Sequence, residues 1–266
     1  MPTLNKVFIL FLLSSGPALL AQKPVIKPNG VVNAASYEGS VKGEALVVGG
    51  AIFSVFGENL AASVQRAPGT PLPTTLGGTS VTVDRIAAPL FYVSPGQINF
   101  QVPIAIAQHV GERIPVEVTT GAGASDPVLA YVQQKGDGTF SQGGGGCGPG
   151  AIQNVAADGS VSLNSPSNSA SPGTFIAIYG TGLGPLYSPP EDGQPARAQP
   201  LTGLDLPGVF LGIEGFQWSP GVQQWWAGLT PGLVGVNQIN VLLGDDVLEG
   251  CAVPLRIGGN LSMSPP

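Results

Sequence analysis

The chain spells one short phrase twice, QINFQVP at Gln97 to Pro103 and QINVLLG at Gln238 to Gly244. No other feature limits its possible folds as much. In the first copy Ile98, Phe100 and Val102 alternate with Gln97, Asn99 and Gln101. A period of two puts successive side chains on opposite faces of an extended chain, so each phrase predicts a half-buried β-strand with its amides outward. The neighbours recur too. IPVEV (Ile114 to Val118) is answered by VPLRI (Val253 to Ile257), and SVFGENL (Ser54 to Leu60) by AIYGTGL (Ala177 to Leu183). Likewise PNGVVNAAS (Pro28 to Ser36) is answered by PGAIQNVAA (Pro149 to Ala157). Four matched segments in one order predict a duplicated unit. The copies stand 123 residues apart at the Gly-Leu segment and 141 apart at the QIN phrase, so copy two holds 18 extra residues. The excess is expected in the Pro-rich stretch Pro185 to Pro200, which reads as a surface loop, and around FQWSPGVQQWW (Phe216 to Trp226).

Forty glycines and 26 prolines would suit disorder, but 43% hydrophobic and 10% charged residues argue for a packed core. Short strands joined by many Gly/Pro turns satisfy both facts, and no long helical pattern appears, so the expected fold is all-β. Lys6, the apolar run Val7 to Leu13 and the small residues up to Ala21 predict a secretory signal peptide over 1–21. That run is too short for a permanent membrane span. The expectation is a secreted or cell-envelope protein without membrane insertion. A net charge of −6 with no basic stripe makes nucleic acid a poor partner.

Cys147 and Cys251, in an exported chain, predict one disulfide within the second half. In the chain-entropy model such a bond contributes up to about 4–5 kcal/mol. The glycine run Gly143 to Gly146 predicts a linker at 143–148, separating a first domain (22–142) from a second (149–266).

Catalytic chemistry finds little support. His109 is the only histidine and sits in a turn-like segment, and no G-x-S-x-G elbow accompanies it. One histidine cannot build a histidine-based metal centre. Asp245, Asp246 and Glu249 in GDDVLEG read as a solvated hairpin turn. Nothing in the sequence brings Glu58, Asp84 or Glu214 together as a hydrolytic pair. The glycine-rich pieces lack the lysine and the strand-loop-helix context of phosphate cradles. No catalytic residue, metal or cofactor is assigned. Gln97 with Asn99, and Gln238 with Asn240, recur on one face of the same strand and read as architectural amides, needed once per unit. Trp218, Trp225 and Trp226 all lie in the second half and are the candidate ligand-binding residues, since exposed rings stack on sugars or anchor interfaces. Alternation in WWAGL puts one ring inside and its neighbour outside; the competing reading packs all three into the core.

The segments GAIFSVFGENLA, APLFYVSPGQINFQVP, GTFIAIYGTGLGP and AGLTPGLVGVNQINV, with NSPSNSASPG between them, resemble the Solibacter-type uncharacterised C-terminal repeat family of secreted bacterial proteins. Each copy also resembles, more loosely, the immunoglobulin-like IPT/TIG domain. The resemblance covers nearly all of residues 28–262 and implies two tandem immunoglobulin-like β-sandwiches; it carries no activity and no catalytic residues. The function expected is non-enzymatic: extracellular binding, adhesion or scaffolding at the cell envelope, with an extracellular protein or polysaccharide as partner. A carbohydrate-binding module using the tryptophans is the alternative, and a secreted hydrolase the third reading. The resemblance also implies a last strand after VPLRI, where this sequence offers only MSPP. Domain two is therefore expected to lack that strand. Its Val253 to Ile257 edge would be covered by the loop around Pro185 to Pro200 or by a partner's added strand.

Overall fold

A computed structural model describes residues 22–41, 44–136, 138–144, 148–211, 222–245, 247 and 253–258. The protein is all-β, as its alternating segments predict. The expected signal peptide, Cys147, Cys251 and Trp218 fall outside the described residues.

The first half runs through β1 (Val25–Asn33), β2 (Ser40–Val41), β3 (Glu44–Val47), β4 (Ile52–Glu58), β5 (Gln65–Arg66) and β6 (Ser80–Val83). It continues with β7 (Ile86–Ala87), β8 (Leu90–Val93), β9 (Gln97–Gln101), a 3-10 turn at Ile104–His109, β10 (Arg113–Thr120), β11 (Gly123–Ala124) and β12 (Val128–Val132). One sheet has the order β1-β4-β9-β8-β5; the other runs β2-β3-β12-β10-β6-β7, with β11 against β10. Every pairing is antiparallel except β12 with β3. The period of two explains why the sheets meet. Val55, Ile98 and Phe100 from one, and Val81, Val116 and Val118 from the other, are fully buried in a single core. Each such side chain contributes roughly 1.5–3 kcal/mol. The β6–β7 hairpin closes through Asp84 and Arg85, both at positive φ (48° and 65°), the two-residue turn whose twist matches its strands. That turn accounts for Asp84.

The second half holds β13 (Gly138–Thr139), β14 (Ile152–Val155), β15 (Val161–Leu163), β16 (Phe175–Thr181) and β17 (Leu186–Tyr187). After these come β18 (Gly203–Leu204), β19 (Gly208–Leu211), β20 (Val222–Leu229), β21 (Asn237–Leu243) and β22 (Leu255–Gly258). The large sheet runs β15-β14-β16-β21-β20-β18-β17, with β13 also on β16, and β19 pairs β22. Ile178, Ile239, Val241, Val209 and Ile257 fill its core.

The two halves pair in the same register. Ser54, Val55 and Phe56 stand opposite Asn99, Ile98 and Gln97; Ala177, Ile178 and Tyr179 stand opposite Asn240, Ile239 and Gln238. In the other sheets Val116 meets Val83 and Val118 meets Val81, just as Leu255 meets Leu211 and Ile257 meets Val209. Asn33 opposite Phe53 matches Asn154 opposite Ile176. The halves differ beyond β10 and β22. β10 continues to β12, whereas among the described strands β22 pairs only β19. After β1 the chain forms the β2–β3 hairpin, whose β3 joins β12, whereas β15, which follows β14, folds back on β14 with Val161 and Leu163 exposed.

The halves are also locked together. The chain enters the second sheet at Gly138, where β13 pairs with Gly180 and Thr181, so pairing begins ahead of the expected linker at 143–148. The buried Thr181 hydroxyl accepts from Ile52 N (2.9 Å) and donates to Gly235 O (2.7 Å). Asn33 Nδ2 donates to the carbonyls of Gly136 and Thr181, both at 3.2 Å. Gly182 (φ +78°) must be glycine, since a Cβ there would meet Gly136 O at 2.8 Å. The Pro-rich loop expected to shield β22 docks elsewhere. Leu72 N donates to Gly193 O (2.9 Å), Gly193 N to Gln101 Oε1 (2.7 Å) and Ile104 N to Asp192 Oδ1 (2.8 Å), tying the loop to the first half. Gln101, expected outward with its neighbours, is therefore 1% exposed.

Candidate binding face

Paired residues across antiparallel strands project to the same side, so the registers list the second sheet's outer face. One row reads Gln153, Ala177, Asn240, Trp226; the next reads Tyr179, Gln238, Gly228, Gly203, Tyr187. Ile178, Ile239 and Ala227 lie between them in sequence and point into the core. Trp226 is thus a half-buried ring on the outside, not a core residue. Trp225 is the extra residue of a bulge, because Gln224 pairs Val241 while Trp226 pairs Asn240. A simple alternation over WWAGL breaks at that point. Of the three tryptophans expected to form a site, the structure places Trp226 on this face and Trp225 at the bulge.

The sequence alone did not reveal two aromatic partners, Tyr179 and Tyr187, or the reason Trp226 lies flat. A Cβ on Gly228 would run into the indole Cζ2, so the ring lies directly over that glycine. Gly203, paired with Gly228, lets the Tyr187 ring lie against it in turn, with Tyr187 Cδ2 4.0 Å from the place of its missing Cβ. Tyr187 is 56% exposed and its hydroxyl donates to Asp205 Oδ1 at 2.5 Å, a bond that raises the phenol's pKa. Tyr179 donates to Gln153 Oε1 at 2.7 Å, and burial raises its pKa. The signal was present in the pairing of two glycines, which only the fold brings side by side.

The amides have a common geometry in both halves. Gln97 Nε2 donates to Asn99 Oδ1 and Gln238 Nε2 to Asn240 Oδ1, each at 2.8 Å. This leaves one donor group on each asparagine and one acceptor on each glutamine facing outward. The first half carries a matching aromatic pair: Phe91 occupies its bulge and Tyr92 stands opposite Asn99. There the ring is covered, with the Arg66 guanidinium 5.5 Å from the Tyr92 centroid. Phe56, in the row of Gln97, is met edge-on by Tyr37 at 5.6 Å.

No family model matches the chain, and no curated protein matches it.

The remaining candidates do not assemble a reactive centre among the described residues. His109 Nδ1 lies 3.1 Å from Glu112 Oε2 in an exposed turn. Glu58 ends β4 and Asp84 turns the β6–β7 hairpin, in different sheets. Asp246, Glu249 and Glu214 lie outside the described residues. No group of three or more His, Cys, Asp or Glu residues suited to a metal ion occurs among the described residues. No described helix is long and apolar enough to cross a membrane. A groove between the halves encloses about 140 Å³, lined by Val48, Ile104, Val110, Gln133, Pro185 and Leu186, and offers no acid or base.

Proposed function

We propose that this is an exported, non-enzymatic binding protein: two tandem immunoglobulin-like sandwiches of one duplicated unit that bind or scaffold at the cell envelope. The observation that carries this reading is the second half's outer face, where Trp226 lies flat over Gly228 beside the outward amides of Gln238 and Asn240. Flat aromatic area with fixed polar neighbours gives a surface contact at little entropic cost. Hydrolysis would require paired carboxylates in a cleft, and this face presents amides and phenols instead. The resemblance of the repeated segments to the Solibacter-type repeat family supports the part of this reading that concerns two tandem immunoglobulin-like units. The alternative of a carbohydrate-binding module is favoured by the same ring.

The reading is tested by adding the labelled exported protein to envelope fragments, extracellular matrix and a polysaccharide panel. Saturable binding to at least one, without turnover, is expected. Absence of saturable binding to all of them refutes it.

A further inference from the structure

We propose that the second half's outer face binds an uncharged linear polysaccharide, laid across the strands along Tyr179, Trp226 and Tyr187. This rests on the reading of the protein as a binding module. Adjacent strands lie about 4.8 Å apart, so the row crossing β16, β21, β20, β18 and β17 spans roughly 19 Å. Along it come the Tyr179 phenol, the Gln238 amide, the Trp226 indole over Gly228, and the Tyr187 ring against Gly203. Gly228 flattens the middle of the row, because a Cβ there would meet the Trp226 indole, and its partner Gly203 adds no side chain between that indole and Tyr187.

Three features select the ligand. The row offers separated aromatic rings, with Trp226 flat over Gly228, which suits the apolar C–H faces of successive sugar rings rather than a single compact ligand. Between the rings, Gln238 keeps an acceptor and Asn240 a donor outward, matching neighbouring hydroxyls that both donate and accept. The two rows carry no Lys, Arg, Asp or Glu, and the nearby carboxylate of Asp205 accepts the Tyr187 hydroxyl, so the face holds no cation for an acidic polymer. The first half shows the contrast, for its corresponding ring, Tyr92, is covered by Arg66.

The test is native electrophoresis of the exported protein through gels holding mixed-linkage β-glucan, xylan or, as the acidic control, polygalacturonate. Retardation by at least one neutral polymer and not by polygalacturonate is expected. Tyr187→Ala, at an exposed position, should weaken that affinity about tenfold, the scale of one stacked aromatic contact. Tyr187→Phe, which keeps the ring and loses the hydroxyl, should stay within about threefold of the parent. Tyr92→Ala should leave retardation unchanged. Trp226→Ala should abolish retardation, with circular dichroism showing whether the sheet persists; Tyr187→Ala decides the matter if it does not. Failure of both neutral polymers to retard the protein, or retardation that Tyr187→Ala leaves intact, overturns the proposal. Saturable binding to envelope fragments alongside such a failure would spare the broader reading and point to a protein partner instead.

Discussion

Gly193 N donates to Gln101 Oε1 across 2.7 Å in a site from which water is excluded, joining a loop of the second half to the strand of the first QIN phrase. The matching position in the second phrase, opposite Phe175 as Gln101 is opposite Ile52, is Leu242. Gln101→Leu should therefore leave the Gly193 N–H buried and unpaired, costing about 1–3 kcal/mol in urea unfolding. A stability equal to the parent's would mean that the loop does not hold the halves together.

Thr181 bears on both sides of the same joint. Thr181→Val keeps the shape but removes the group that accepts from Ile52 N and donates to Gly235 O. Two buried partners lose their bonds, so a loss of about 2–4 kcal/mol is expected. Thr181→Ser keeps the hydroxyl and should cost no more than about 1 kcal/mol. Calorimetry on both variants checks the difference.

The joint also carries an acid-range signature. Burial pushes the Asp192 carboxyl up, against the opposing pull of the Ile104 N–H bond. The folded state then holds this proton more readily than the unfolded chain does. Stability from this group is greatest below the ordinary carboxylate value and declines as pH rises through the raised folded value. Asp192→Asn keeps an oxygen for Ile104 N and removes the titration. Its urea midpoint should match or exceed the parent's at neutral pH and lose the slope that the parent shows as pH rises from the ordinary carboxylate value. Asp192 is exposed to solvent apart from its bond to Ile104 N, so the effect is small.

Gly228→Ala tests the flat aromatic row. The added Cβ would meet both Thr202 O and the Trp226 ring. The backbone oxygen cannot swing away, so a cost of about 1–3 kcal/mol is expected, with a red shift of tryptophan emission as the indole lifts into water.

Strands were legible where one face is buried, because Ile98, Phe100, Ile239 and Val241 leave the period of two visible in the sequence. The matching of IPVEV with VPLRI was equally legible, and both segments pair as counterparts. Positions determined by another part of the chain were not. Gln101 has the outward polarity of Gln97, and only the docked loop buries it. Trp225 looks like any alternating residue until a bulge takes it out of step, and Tyr187 joins the face through a glycine some sixteen residues further on, Gly203. Part of the extra length of the second half lies in the turn Thr230 to Val236, which supplies the carbonyl of Gly235 to Thr181.

The joint has a direction. One side is built from Asn33, Ile52 and Gln101, the other from Thr181, Gly182, Gly193 and Gly235. The first half bears Glu58 where the second has Thr181, and the second bears Leu242 where the first has Gln101. A pair built this way is a head-to-tail link whose ends no longer match each other. A third unit arriving at the second half's equivalent surface would find Leu242 in place of the amide acceptor, and the bond that Gly193 N makes to Gln101 would have no counterpart there.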